Sequence, residues 1–313
     1  MSMFKKPSEL AYNSTIKALV YGQPGLGKTT VALSTPNPVL FDFDGGVQRV
    51  NGAFQCPTLQ VQSWDEVLQA LQELETGAND FKTIVIDTAG KMLDFMSTYI
   101  IKQDSRMGMR DGSLSLKGYG ARKMMFINFL KRVTMMGKHV IFVAHEREEK
   151  DGDLRIVRPE IGGSSQGDLI KELDLVGYMQ AIGNERTISW TPQEKFYAKN
   201  TCNLPPMQKI PCIIDAQGKI IGHNNFMSVI FDNYAKYLKE ESSLRKEYDA
   251  LISEIEGEVA CISDAEQANA YILSMKEKKQ IWDSNAHAKS FIIERCKELG
   301  LKFNSLTKKY EAA

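Results

Sequence analysis

Residues 22–29 read Gly-Gln-Pro-Gly-Leu-Gly-Lys-Thr, a complete G-x-x-x-x-G-K-T run. Glycines at this spacing let backbone N–H groups turn inward around phosphate oxygens, at angles that a side chain forbids. The pattern predicts a clasp for the phosphates of ATP with Mg²⁺, built from Gly22, Gln23, Pro24, Gly25, Leu26, Gly27, Lys28, Thr29 and Thr30. In such a clasp Lys28 reaches the β- and γ-phosphates and the Thr29 hydroxyl holds the metal. Asp87 ends the apolar run Thr-Ile-Val-Ile of residues 83–86, which predicts a strand delivering a carboxylate to the magnesium shell.

Asp42 and Asp44 close another short apolar run, Val-Leu-Phe from position 39. A carboxylate at such a strand end can face the γ-phosphate and orient the attacking water. That role is predicted for Asp44, whereas Asp42 reads as part of the Asp-Gly-Gly turn. His145 follows the run Val-Ile-Phe-Val-Ala of residues 140–144, at the strand end where doubly wound sheets bind ligands. There it can hydrogen-bond the γ-phosphate and report its loss to the segment behind it.

The elements that must position these groups follow from periodicity. Short apolar runs at 16–21, 39–43, 83–87 and 138–144 read as buried strands. Helical spacing links Val67, Leu68, Leu71 and Leu74, then Met92, Phe95, Met96 and Tyr99, then residues 121–136. A shorter helix opens at Thr29 and stops at Pro36. Alternation of this kind predicts parallel βαβ units in an open α/β sheet.

Beyond Arg147 an Asp-Gly pair at 151–152 predicts a hairpin, residues 162–167 a flexible loop, and residues 173–179 a return to the sheet. Residues 187–190 and 195–198 read as a late antiparallel pair. Residues from 232 onward read as helical throughout, with a break near Gly257 and a capped start at 263–266. The predicted organisation is a lead-in (1–15), an α/β core (16–230) and a helical C-terminal domain (231–313).

The chain has 313 residues, and its 39 Lys+Arg balance 39 Asp+Glu. With no net charge, any nucleic-acid binding must come from a local basic patch rather than a global field. No apolar stretch approaches the ~18 residues of a membrane span. The basic start lacks an apolar region behind it, which predicts no secretory leader and a cytoplasmic location. Five scattered cysteines without a C-x-x-C pair predict reduced thiols rather than a disulfide frame or zinc site.

Residues 102–123 carry six basic residues against two acidic ones, with Gly108, Gly112, Gly118 and Gly120 interspersed. Read as a mobile loop, this segment could neutralise phosphates through Arg106, Arg110, Lys117 and Arg122 while Tyr119 stacks on a base. The alternative is a solvated, charged surface loop.

Taken together, the phosphate loop, Phe-Asp-Phe-Asp-Gly-Gly at 41–46, Ile-Val-Ile-Asp-Thr at 84–88, Gly-Tyr-Gly at 118–120 and Val-Ile-Phe-Val-Ala-His-Glu at 140–146 resemble phage RecA-like ATPases. The resemblance is greatest to the Sak-type single-strand annealing proteins of the phage nucleotide-binding group, and covers roughly residues 15–230. It implies a RecA-like P-loop core with a mostly parallel sheet, Asp44 as catalytic base and His145 as γ-phosphate sensor. It also implies homo-oligomers, as rings or filaments, acting on single-stranded DNA with a single-strand binding protein. Two DNA loops are implied: one before Ala121, and a second after His145 resting on Arg155, Arg158 and the loop from Gly162. That second segment carries four basic residues against six acidic ones and lacks the long glycine-rich stretch of RecA, so annealing, or loading DNA together with a single-strand binding protein, is expected rather than RecA-style strand exchange. Lys199 resembles, weakly, the finger that related enzymes insert into a neighbour's site. The alternatives are a helicase or helicase loader, and a nucleotide-dependent binding module with negligible turnover.

Overall fold

The computed structural model describes residues 3–10, 12–152, 154–162, 170–183, 185–275 and 277–312. The strands of the core are β1 (Lys17–Gly22), β2 (Pro38–Asp42), β3 (Thr58–Gln60), β4 (Thr83–Asp87), β5 (His139–Asp151), β6 (Leu154–Pro159), β7 (Leu175–Ile182), β8 (Glu185–Ser189), β9 (Lys199–Asn200) and β10 (Met207–Ile210). Its helices are α1 (Lys28–Ala32), α2 (Trp64–Thr76), α3 (Ala89–Gln103) and α4 (Leu116–Met135). The sheet runs β10-β8-β7-β1-β5-β4-β2-β3. From β7 to β3 every neighbour is parallel, and β8 and β10 add an antiparallel edge. The α/β P-loop core with a mostly parallel sheet is therefore present as expected.

Strand alternation divides the core between the two faces of the sheet. Leu19, Tyr21, Phe41, Ile84, Ile86 and Phe142 face α2, α3 and α4. Ala18, Val20, Leu40, Val85, Ile141 and Val143 face α1 and the apolar residues Met227, Ile230 and Phe231. Burial on both faces explains why these strands read as unbroken apolar runs.

The helices follow local rules. Ser63 caps α2 by accepting from the Glu66 N–H, and Val67, Leu71 and Leu74 are its buried stripe. The Asp-Gly hairpin forms as expected, with Asp151 opposite Leu154, but its first strand is the continuation of β5.

Several expectations need correction. Helix α4 begins at Leu116 rather than Ala121, because Ser115 accepts from the Gly118 N–H as its N-cap. Gly118 and Gly120 thus lie inside a helix, not in a mobile loop. Gly118 is there for close packing, since a Cβ would sit 2.3 Å from the Met107 carbonyl oxygen. The segment 187–190 pairs with β7 and β10 instead of with 195–198, because Gln193 and Phe196 bond each other's backbone and close a turn. The loop expected at 162–167 lies outside the described residues except for Gly162.

Two compact units divide the chain: residues 14–234, and residues 1–13 with 235–313. The boundary falls within α5 (Phe226–Ala260), which continues unbroken through Gly257. Helices α6 (Ala265–Ser274) and α7 (Ser284–Glu298) follow, packing Ile255, Val259, Ala268, Ala288 and Ile292 together. Asp264 caps α6 by accepting from the Gln267 N–H. Residues 301–312 are not helical. They form the hairpin β11 (Leu301–Asn304) and β12 (Lys309–Ala312), whose turn is made by the Asn304 side chain accepting from Leu306 and Thr307. Among the described residues no helix is long and apolar enough to cross a membrane.

One half-buried histidine makes the core sensitive to acid. His139, at the start of β5, accepts the Ile16 N–H at Nδ1 (3.0 Å) and lies 4.7 Å from the Phe231 ring. Burial pulls its pKa down to about 4, with Asp232 opposing and Lys82 assisting. Between pH 6.5 and 4 the unfolded chain therefore binds the extra proton and the folded chain does not, so stability falls as pH falls. The shift corresponds to about 3 kcal/mol across that window. Denaturant titrations of wild type and His139→Asn, whose amide oxygen still accepts from Ile16, should show a flatter acid limb in the variant. Identical acid limbs would remove His139 as the cause.

Candidate functional site

The phosphate loop joins β1 to α1 at the carboxyl edge of the sheet. Gly22 has φ +155°, and a Cβ there would lie 2.4 Å from the Met179 carbonyl oxygen of β7. Gly27 has φ +79°, and a Cβ would meet Arg186 Nη1 at 2.7 Å. Only glycine lets the loop turn at both points while its neighbours close in. Helix α1 is short, five residues, ended by the Ser34 and Thr35 hydroxyls donating to the carbonyls of Val31 and Ala32. It supplies first-turn amides rather than a long dipole, and that is where the field of a helix end acts.

Lys28 is buried at 6% exposure and donates from Nζ to the Gln23 carbonyl at 2.8 Å. Burial holds its ammonium below the usual lysine range, while the carboxylates of Asp87 and Glu146 pull it back up. The ammonium is thus folded onto its own loop, next to two acids that favour its charged form.

Thr29 and Asp87 come together as predicted. The Thr29 hydroxyl donates to Asp87 Oδ2 at 2.6 Å across a gap of fifty-eight residues. Burial raises the Asp87 carboxyl above its usual range; the Thr29 hydrogen bond opposes this, Asp42 and Asp44 add to it, and Lys28 opposes it. A hydroxyl and a carboxylate beside a phosphate loop fit Mg²⁺, which takes one or two protein oxygens and completes its shell from phosphates and water.

Asp42 is structural. It is 2% exposed, and its carboxylate accepts from the backbone N–H groups of Asp44, Gly46 and Val47 at 3.1–3.2 Å. Asp44 is held by this turn in an exposed position, near enough to Asp87 to raise its pKa. Along their strands Asp42, Asp87 and His145 continue the alternation of Leu40, Val85 and Val143, so all three lie on the sheet face that carries α1. His145 stands opposite Gly22 in the β1–β5 register. Its Nδ1 is buried with no hydrogen-bond partner among the described residues.

Two groups at the site were not singled out by sequence reasoning. Glu146 follows His145, acts on Lys28, and helps push the Tyr178 hydroxyl, already raised mainly by burial, up to about 12. Its position next to a candidate sensor was the available signal. Arg186, from β8, donates to the Leu26 carbonyl at 3.3 Å and lies against Gly27. Nothing local marks it, because one hundred and sixty residues separate it from the loop.

The predicted DNA contacts fare unequally. Arg122 is 5% exposed: its guanidinium donates to Ser97 Oγ and the Gly162 carbonyl and lies 5.0 Å from the Tyr119 ring. It ties α3 and α4 to the segment after β6, and it occupies the Tyr119 ring that was expected to stack on a base. Arg106 is exposed and grips Asp104 with a fork of bonds at 2.9 Å. Arg110 and Lys117 are exposed, and no carboxylate pairs with them among the described residues. Arg155 and Arg158 face Glu148 (3.7 Å) and Glu149 (2.7 Å) within the hairpin. Lys199 lies beside Val176, near the start of β7 and away from the phosphate loop, and donates to the Lys171 carbonyl at 2.9 Å.

Comparison with curated proteins gives no match. Residues 14–202 match the AAA domain family AAA_24, a span that runs from just before β1 through the last parallel strand and covers well over half of the chain. With the phosphate loop, the Thr29–Asp87 pair and the parallel sheet all inside that span, the chain belongs to this AAA-type family of nucleotide-binding P-loop ATPases.

Proposed function

We propose that this protein hydrolyses ATP with Mg²⁺ to control its hold on single-stranded DNA, as the Sak-type annealing proteins that its motifs resemble would. In this reading it assembles as a homo-oligomer and works with a single-strand binding protein. The observation that carries the reading is the continuity of β5, which runs from the phosphate site at His145 straight into the hairpin with β6 that holds Arg155 and Arg158. An uninterrupted strand is a stiff link between a γ-phosphate contact and a distant surface.

The chemistry rests mainly on positioning and charge. Lys28 exchanges the Gln23 carbonyl for phosphate oxygens. Thr29 and Asp87 hold Mg²⁺, which when bound neutralises charge on the phosphates. Asp44 orients the attacking water and takes its proton. The buried Nδ1 of His145 finds its partner on the γ-phosphate, and cleavage removes that partner. On the DNA side, Arg106, Arg110 and Lys117 meet backbone phosphates, and Arg155 and Arg158 exchange their glutamate partners for phosphate. Lys199 is the cation available to a neighbouring copy.

Phosphate release measured with and without single-stranded DNA tests this directly, together with an annealing readout on complementary oligonucleotides. The reading predicts stimulation by single strands. A joint Arg106→Ala, Arg110→Ala and Lys117→Ala variant should bind them more weakly, with a log–log salt slope flatter by about 2. A flat, near-zero rate would favour the binding module, and duplex opening without annealing would favour a helicase or loader. Wild type without affinity for single strands would overturn the reading.

A further inference from the structure

The sheet order puts chemistry of opposite sign on the two sides of the phosphate loop. Strands β5, β4 and β2 lie on one side of β1 and bring His145, Asp87 and Asp44. Strands β7 and β8 lie on the other and bring Arg186. The guanidinium is half-buried and touches the loop at Leu26 and Gly27. No carboxylate pairs with it among the described residues. Among the described residues its hydrogen bond is long and goes to a neutral carbonyl, which leaves most of its donors without a partner of matching charge there. A partly buried cation in that condition favours an arriving anion.

The anion's orientation follows from the acids. With the metal pair and the water-orienting carboxylate on the β5 side, the terminal phosphate points that way, and the rest of the nucleotide leaves past Gly27. Beside Arg186 lies a narrow crevice of about 10 Å³, lined by Thr30, Ile213, His223 and Phe226. Asn224 fixes one wall by donating to the Thr30 carbonyl at 2.9 Å. Arg186 stands between this crevice and the loop, so its free donors are the ones the passing phosphates meet.

Resting on the reading that the loop binds nucleotide, we propose that Arg186 is a phosphate ligand supplied in cis to the α/β end of the bound nucleotide. Sites of this kind often borrow a cation from a neighbouring subunit to act on the γ-phosphate. Arg186 differs in both source and target. It binds ADP and ATP alike, and does so in a single copy of the chain.

Equilibrium binding of MgATP, MgADP and tripolyphosphate to the full chain tests this, with Arg186→Ala and Arg186→Lys as variants. Arg186→Ala should weaken all three ligands roughly 10- to 100-fold. Arg186→Lys should recover part of the loss, and millimolar guanidinium chloride should partly restore the alanine variant. The melting temperature of the unliganded alanine variant should match wild type, because a fall in step with the affinity loss would mean that Arg186 only props the loop. Affinities within twofold of wild type, or a loss confined to turnover with ADP binding intact, would overturn the proposal. If wild type binds MgATP and Lys28→Ala does not, such a result sinks this inference alone. If wild type itself fails to bind, the underlying reading is the one that falls.

Discussion

Replacing Lys28 with alanine should weaken MgATP binding by at least about 100-fold and leave the fold intact. The ammonium is almost fully buried and already shed of water, and among the described residues its hydrogen-bond partner is the Gln23 carbonyl at 2.8 Å. Two carboxylates, Asp87 and Glu146, keep it charged against its burial. Because desolvation has been met in the folded chain, each charge-assisted bond to a phosphate oxygen adds roughly 10- to 100-fold in affinity. An ammonium that reaches two phosphates loses both contributions on truncation. Titration calorimetry reads the affinity and circular dichroism the fold. An affinity within threefold of wild type would mean that phosphate does not bind at this loop.

Asp87→Asn should do two things at once: raise the melting temperature of the nucleotide-free protein, and cut magnesium-dependent turnover by about three orders of magnitude. The stability half follows from linkage. Asp87 has a folded pKa above its unfolded value, with burial as the leading cause. Its contribution to stability is therefore fully present below the unfolded value and lost as pH rises through the folded one. At neutral pH the ionised group is a net cost, and the amide removes it while still accepting from the Thr29 hydroxyl. The functional half follows because a neutral amide is a poor ligand for a hard divalent cation. Thermal melts and phosphate release on the same preparation separate the two. A lower melting temperature, or surviving turnover, would contradict the assignment of Asp87. A group that destabilises the resting protein while serving its chemistry is a common sign of a functional site.

What could be read from the sequence was what is local. The phosphate loop is eight consecutive residues between a strand and a helix, so spacing alone identifies it. Asp87 and His145 follow apolar runs whose ends set their height on the sheet, and strand alternation then puts both on the face that carries α1. Asp42 was legible as a turn residue because Asp-Gly-Gly invites a side-chain-to-backbone bond. Arg186 was not legible, because its approach to Gly27 depends on β8 pairing with β7 and β7 with β1. The start of α4 was misjudged because Gly118 and Gly120 argue for a loop. The Ser115 cap and the fit of Gly118 against Met107 outweigh that propensity. Arg122 and Tyr119 changed meaning with it, from a nucleic-acid contact to an internal tie. The terminal hairpin escaped because its turn contains neither glycine nor proline. Lys308 adopts a positive φ of 51° there, and Asn304 closes the turn with its own side chain.

The central claim is that the backbone of residues 22–29, with Lys28, holds a polyphosphate. Side-by-side titrations of wild type and Lys28→Ala with ATP, ADP and AMP in magnesium buffer test it most directly. The account predicts that wild type binds ATP and ADP at least about 100-fold more tightly than AMP, and that the alanine variant loses most of this difference. Equal affinity of wild type for AMP and ATP, or a preference for ATP untouched by the substitution, would contradict it.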